Sequence, residues 1–593
     1  MDNQETSPKD AQATLTQHAM LVVWGLYAQQ IGLIDRLMQV KLKQKSRDHQ
    51  PQTKLLEFLV AMLAGLPYLQ DISRSAHPLD QDGVVAQAWK QPAWADYSGV
   101  SRMMQQVSAA EADAIIAALE DIEQPFIEKE LALACRRSGH LVYDLDLTGR
   151  PVSSTSTSYP DTAFGYMGDT INLGYQAALV SMHSPSYGRL WLANQLHPGD
   201  TVSVTEAQAL VRAAERRTAL RPRRRVDLVA LRLQATEVQW QTAMDQASES
   251  EERLITAKAQ LNQTTVDLQS WRRQAYSFEA EYQREQRHPT DHCKLARARR
   301  KVLTYEKRLP RRQAALTTAE RRYQRHLAGL NEIDSDLEQL RSHYQQLEND
   351  NASNAHPVRV TLRIDAGFAS RENIDWLIEM GYDIYTKSRS STVREALFAS
   401  LSSETLWRRV GGNASLTAWP DTTVQDYFTY PLNVALAHYQ LGSAVRHSVL
   451  LHFGDNDVTN DLDAWFHTYN GRQTIEAGIK EGKSVFQMHH LKVRASQALR
   501  LQEHLACFAA NFVRFAALWL TTEQPQPPSV NTNSVKHMVQ VCAHTSAWVL
   551  RHGDVWLLKF TDQSLYAGHS LCIGNGPFQL PLPLDRSFHF QHF

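Results

Sequence analysis

The sequence predicts an α/β fold whose mixed-sheet core is split by insertions, and three observations point there. LVYDLDLTG, from Leu141, alternates for several residues and is rich in β-formers, a strand ending at Gly149. Much further along, VRVTLRIDAGF (Val358–Phe368), a helix over Arg371–Met380 and YDIYTK (Tyr382–Lys387) give strand, helix and strand again. Between these two stretches lies a long heptad pattern that belongs to neither.

After the first strand, YQAALVSMH (Tyr175–His183) and GRLWLANQL (Gly188–Leu196) flank a Ser-Pro-Ser turn and read as a hairpin. TEAQALVRAAERR (Thr205–Arg217) reads as a helix capped by a Ser or Thr, completing a first core segment over 139–220. Leu254, Leu261, Leu268, Ala275 and Tyr282 then fall seven apart, as do Leu295, Val302, Leu309, Leu316, Tyr323, Leu330, Leu337 and Tyr344. The breaker QRHPTDH (Gln286–His292) separates the two sets. Residues 221–352 are therefore expected to form an antiparallel coiled-coil insertion, its arms roughly 80–90 Å long at 1.5 Å per residue and kinked at Pro310. Residues 353–388 resume the core. Short apolar alternations among Gly and Pro make 389–465 a β-rich insertion, and 466–525 a helical third core segment. SAWVLRHGDVWLLKF marks 526–593 as a C-terminal β-rich unit. At the other end, 1–138 reads as an N-terminal helical domain, with periodic stretches at Met20–Met38, Leu55–Leu69 and Ala109–Leu133.

Composition bounds the function less tightly. Hydrophobic residues are 43 % and charged residues 21 % of 593, an ordinary globular balance, and the net charge of −1 gives no global attraction to nucleic acid. Local basic patches can still neutralise phosphates. The five scattered cysteines include no CxxC pair, which fits reduced thiols rather than a disulfide framework or a zinc finger. The polar N-terminus lacks a signal-peptide pattern, and no apolar run of about 18 residues suggests a membrane span, so a cytoplasmic protein is expected.

Several acids sit where separate elements would bring them together. Asp144 and Asp146 lie two apart on the first strand and share a face. Asp365 ends the later strand before a tight Ala-Gly turn, and Glu476 lies on a helix expected to begin near Tyr469. Hard cations such as Mg²⁺ prefer such oxygen ligands, and a pair of them suits phosphodiester chemistry. Among 63 acids, however, one at a strand end is often only a turn or capping residue.

Tyr469, Arg472, Glu476 and Lys483 add a pattern, Y-(2)-R-(3)-E-(6)-K. It resembles the signature of DDE transposases from bacterial insertion sequences. LDLTG around Asp146 and RIDAGFAS around Asp365 look like the two aspartate segments of that class. NQLHPGD (Asn194–Asp200) and FAANFVRFAALWL (Phe508–Leu520) are similar to further segments of its transposase DDE domain group 1 branch. The resemblance covers roughly 140–520 with the coiled coil outside it. An insertion between the two aspartates departs from the usual pattern, in which the insertion follows the second.

The resemblance implies an RNase-H-like core and a DNA-cutting and strand-joining enzyme. Asp146, Asp365 and Glu476 would be its catalytic metal ligands for Mg²⁺ or Mn²⁺, with Tyr469, Arg472 and Lys483 on the DNA backbone. On one helix, residues 469, 472, 476 and 483 would share a face. Asp146 is preferred to Asp144 because the family's aspartate stands shortly before a Thr, as Asp146 does before Thr148, but both face the same way and the choice stays open. Trp407 and Trp419 are the aromatics available to stack a flipped base, and each also reads as a packing residue. The partners implied are double-stranded DNA, as terminal inverted repeats and target, and a second subunit in a synaptic homodimer, with no membrane. A domesticated relative that binds or nicks DNA without transposing is the alternative, and a structural coiled-coil protein with a globular head is a third reading. Basic clusters at Arg221–Arg225 and between Leu295 and Arg312, including Arg299 and Arg300, read equally as DNA contacts or as a solvated coiled-coil flank.

Overall fold

The computed structural model describes residues 13–44, 48–419, 427–522, 534–564 and 570–574. They fall into two compact units, Met1–Arg223 with His356–Phe593, and Arg224–Ala355.

The first unit is mixed α/β. Its strands are β1 (Thr14–Thr16), β2 (His140–Pro151), β3 (Ala163–Met167), β4 (Thr170–Ser184), β5 (Gly188–Pro198), β6 (Arg359–Arg363) and β7 (Asp383–Lys387). They continue with β8 (Arg408–Arg409), β9 (Ala414–Ala418), β10 (Asn433–Leu441), β11 (Ala444–Phe453), β12 (Ala547–His552), β13 (Val555–Phe560) and β14 (Ser570–Ile573). The large sheet runs β3-β4-β2-β6-β7-β11-β10-β9-β8, with β5 pairing β4. β2 is antiparallel to β4 but parallel to β6, and β6 is parallel to β7, so the sheet is mixed at its centre. Two parallel steps need crossover connections, and the helices Arg371–Glu379 and Ser203–Thr218 lie in those connecting segments. The latter helix has Val202 at its N-cap with no side-chain bond, not the Ser or Thr cap expected.

β11 pairs antiparallel with β7, Leu450 opposite Lys387 and Leu451 opposite Thr386. The stretch expected as a separate β-rich insertion therefore extends the central sheet. Its alternation buries Leu416, Ala435, Ala437 and Leu450 against Trp465, Phe466 and Tyr469 of the helix Leu462–Asn470.

The N-terminal helices are not a body apart. Tyr27 and Trp89 meet Phe512 of the long helix Ser496–Thr522 at ring-centroid distances of 5.5 and 6.4 Å. Trp89 also donates its indole N–H to the Leu21 carbonyl, and it passes so close to Gly25 that a Cβ there would overlap its ring. On another side the same long helix holds the sheet, Asn511 exchanging two 2.9 Å hydrogen bonds with the Trp191 backbone on β5. The segment expected to be wholly helical also supplies β1, which pairs with β12 and joins chain start to chain end in a four-stranded sheet. Gly553, at φ +59°, makes the tight β12–β13 turn.

One buried acid in this region gives a pH test. Glu57 is fully buried in the helix Pro51–Leu63; its Oε2 accepts from the Ala95 N–H at 2.8 Å, while Oε1 has no partner among the described residues. Burial pushes its carboxyl from 4.5 to about 9. The unfolded chain loses this proton near the lower value and the folded chain keeps it up to the higher one. Stability should therefore fall as pH rises through that window, by up to about 1.4 kcal/mol per pH unit. Glu57→Gln removes the liability, so its Tm advantage over the wild type should grow from pH 5 to pH 8. An advantage independent of pH would contradict this.

The second unit is a pair of helices, Val226–Arg284 and Lys294–Ala352, each 59 residues and so about 88 Å long. Cross-arm pairs such as Arg299–Glu279 at 2.6 Å, Arg272–Glu306 at 2.7 Å and Arg341–Glu237 at 2.9 Å run in opposite directions along the two arms, so the arms are antiparallel. Every buried residue of both arms falls on an a or d position of the heptads, among them Leu254, Leu268, Leu295, Leu337 and Leu347. Pro310 lies inside an unbroken helix. Among the described residues of both units, no helix is long and apolar enough to cross a membrane.

Candidate active site

Alternation along β2 puts Asp144, Asp146 and Arg150 on one face, and each meets a different environment. Asp144 is 1 % exposed and is gripped bidentately by Arg363 of β6, at 2.6 and 2.7 Å. Arg150 is buried against Glu503, its Nε donating to Oε2 at 3.2 Å. Asp146, between them, remains partly open. Its Oδ1 accepts from the Leu147 N–H at 2.8 Å, and its Oδ2 lies 3.5 Å from Arg472.

Asp365 follows β6 in a tight turn, where its Oδ1 accepts from the Gly367 N–H at 2.8 Å and its carbonyl from the Phe368 N–H. Glu476 stands in the first turn of the helix Gln473–Ser484, where the positive end of the helix dipole favours a carboxylate. The guanidinium of Arg472 binds the Glu476 Oε1 at 2.8 Å while reaching Asp146. Burial pushes Asp146 up to about 6; Asp365 and Glu476 add to that, and Arg472 and the Leu147 N–H oppose it. Arg472 is itself held charged against its burial by Asp146, Tyr469, Asp365 and Glu476. Three acids from a strand, a turn and a helix thus share one electrostatic neighbourhood.

The expectation of a single helix carrying residues 469, 472, 476 and 483 is corrected. The helix Leu462–Asn470 ends at Gly471, and a new one begins at Gln473 with Arg472 as its N-cap. The turn is needed because this backbone lies directly on Arg363, which donates to the Thr468 carbonyl at 3.2 Å. A Cβ at Gly471 would overlap Arg363 Nη1, and one at Gly478 would overlap the buried guanidinium of Arg189. Gly471 has right-handed helical backbone (φ −52°), so helix propensity alone would favour Ala there. We expect Gly471→Ala instead to cost about 1–3 kcal/mol, the usual penalty for overpacking, and to lower cleavage. A raised Tm would refute the close approach.

The other signature residues have distinct surroundings. Tyr469 is 4 % exposed, its ring beneath the Lys387 ammonium at 5.1 Å, so it is buried beside Arg472 rather than presented at the surface for DNA. Lys483 is half-buried, and burial and then Arg150 lower its pKa while Asp146 and Glu503 raise it. Sequence reasoning missed Lys387 and Arg363. Lys387 ends β7, and burial and Arg472 lower its pKa against the pull of Glu476 and Asp365. Its only sequence signal is a lysine closing the strand after the second aspartate. Trp407 stacks on His438 at 3.6 Å, and Trp419 donates its backbone N–H to Val434. In the second unit, Arg299 pairs with Glu279, whereas Arg300 donates to the Asp291 and Ala296 carbonyls and stays exposed.

The donor set at the carboxylates suits a hard divalent cation: it is all oxygen, and burial, then Asp365 and Glu476, raise the Asp146 pKa despite Arg472, so added positive charge there would be favourable. Among the described residues no three His, Cys, Asp or Glu side chains close into a metal-ligand group, and the Arg472 guanidinium lies between Asp146 and Glu476 in the place of a cation.

No curated protein matches the chain. Residues 334–512 do match the family model described as the transposase DDE domain. That span contains Asp365, Tyr469, Arg472, Glu476 and Lys483, and leaves Asp146 outside. Members of this family cut DNA and generally use divalent metal ions. Across its second and third acidic segments the chain is therefore similar to the transposase DDE domain.

Proposed function

We propose that the chain is the transposase of a bacterial insertion sequence, of the class with the Y-R-E-K signature, cutting its terminal inverted repeats and joining them to target DNA. The observation that carries this reading is that Arg472 bridges Asp146 and Glu476, with Asp365 near enough to act electrostatically on both Asp146 and Arg472. The central strands β5-β4-β2-β6-β7, three antiparallel and then two parallel, support an RNase-H-like core.

In this reading Asp146, Asp365 and Glu476 hold Mg²⁺, or Mn²⁺. When bound there, the metal would activate the attacking water or 3′-hydroxyl and stabilise the leaving oxygen. Arg472, Lys483 and Lys387 supply fixed positive charge for the phosphates beside the cut; the Arg fork suits two phosphate oxygens and each Lys acts as a point charge. Tyr469 positions Arg472. The Asp144–Arg363 pair holds the turn on which Arg472 sits. The expected assembly is a homodimer, since two DNA ends must be cut together.

The test is nicking of a duplex carrying the gene's native flanking DNA, with Mg²⁺ and with a chelator, beside the shift in Tm on adding Mg²⁺ or Mn²⁺. Metal-dependent nicking with a raised Tm supports the reading. Neither effect at millimolar metal would overturn it.

A further inference from the structure

The helical hairpin is electrically polarised along its length. Residues 270–325, around its tip, hold 16 Lys and Arg against 6 Asp and Glu, whereas 226–269 and 326–352 together hold 4 against 13. The tip charge is also sorted by face. Counting Leu295 as a, the outward c positions and the seam-flanking g positions of the second arm carry Arg297, Lys301, Arg308, Arg311, Arg322 and Arg325. The f positions between them add Arg300, Lys307 and Arg321, and no acid occupies a c, f or g position from 297 to 325. All nine cations are exposed, and none forms an ion pair among the described residues. Near the tip, Arg272 and Arg299 pair across the arms, and both lie off this face.

A coiled coil needs its flanking charges to balance across the seam or alternate along the surface, and this face does neither. Like charges at i,i+4 and i,i+3 cost helix stability, so nine of them on one face call for an external anion. From 297 to 325 the face runs about 42 Å, longer than one turn of B-DNA at roughly 34–36 Å.

We propose that the outer face of the second arm, near the hairpin tip, docks along the phosphate backbone of duplex DNA, while the acidic base of the hairpin keeps DNA off the proximal half. The proposal rests on the transposase reading only for the choice of DNA as the polyanion. Sequence specificity is not expected, because point charges and guanidinium groups spaced along a helix surface read phosphates rather than base edges.

The experiment uses the full-length protein and a duplex of unrelated sequence. Binding is measured against salt for the wild type and for Arg297→Gln, Lys301→Gln, Arg308→Gln and Arg311→Gln combined. The slope of log K against log salt should become shallower by about 3 to 4, near 0.9 for each phosphate that is no longer neutralised. Arg297→Lys, Arg308→Lys and Arg311→Lys combined should keep the wild-type slope, which separates an effect of charge from an effect on folding. An unchanged slope in the Gln variant, with wild-type helix content, would overturn the proposal. So would an unchanged slope with loss of a dimer in sedimentation, which would assign the face to a second copy. Metal-dependent nicking is scored separately, so failure here leaves the transposase reading to stand or fall on its own test.

Discussion

Asp146→Ala is expected to reduce DNA cleavage by on the order of 10³-fold or more while leaving Tm near the wild-type value or slightly above it. The activity loss follows from removing one of three acids proposed to hold the metal, in a site where fixed charge acts with little screening. The stability expectation has a different origin. Asp146 is half-buried, is pushed up to about 6 by that burial, and is repelled by Asp365 and Glu476, which outweighs the pull of Arg472, so its charge opposes the folded state. Endpoint nicking and a thermal melt on the same preparation check both parts. Cleavage within about tenfold of wild type would remove Asp146 from the proposed site.

Asp144→Ala should do nearly the reverse. Asp144 and Arg363 form a bidentate pair with side chains only 1 % and 9 % exposed, and Arg363 also supports the turn at Thr468. Deleting the acid strands a buried guanidinium, which costs about 3–5 kcal/mol when one partner of a buried pair is removed. The Tm should fall sharply, with cleavage declining because the Arg472 turn loses its footing. Arg363→Met added to Asp144→Ala should recover much of the Tm, since the uncompensated charge is then gone. A variant with wild-type Tm and no cleavage would reverse the roles given to these two aspartates.

The same pair shows what could be read from the chain and what could not. Period-2 alternation put Asp144 and Asp146 on one face, and they share it. Nothing in their spacing said that Arg363 would lock one and leave the other beside Arg472, because the partner lies 219 positions away on a parallel strand. The long arms were legible because a heptad repeats its signal many times over, and Leu254, Leu268, Leu337 and Leu347 are buried at the positions it marks. The break at Gly471 was not. Tyr469 to Lys483 satisfies helical spacing, and only the close pass of Arg363 forces the turn. Sheet order was equally hidden. The alternation from 433 to 453 indicated strands, but the pairing of β11 on β7, which merges that region with the central sheet, depends on contacts no local pattern carries. Lys387 escaped notice for a related reason: one lysine at a strand end means little until Tyr469 and Arg472 are seen beside it.

The central claim is tested most directly by excision in cells, with the gene's native flanking DNA as donor and wild type compared with Glu476→Gln. The account predicts precise loss of the element with the wild type and none with the Gln variant, at equal protein levels and equal DNA binding. Excision that persists in Glu476→Gln would contradict the assignment of the acidic site. A wild type that binds and nicks the donor but never excises it would contradict transposition itself.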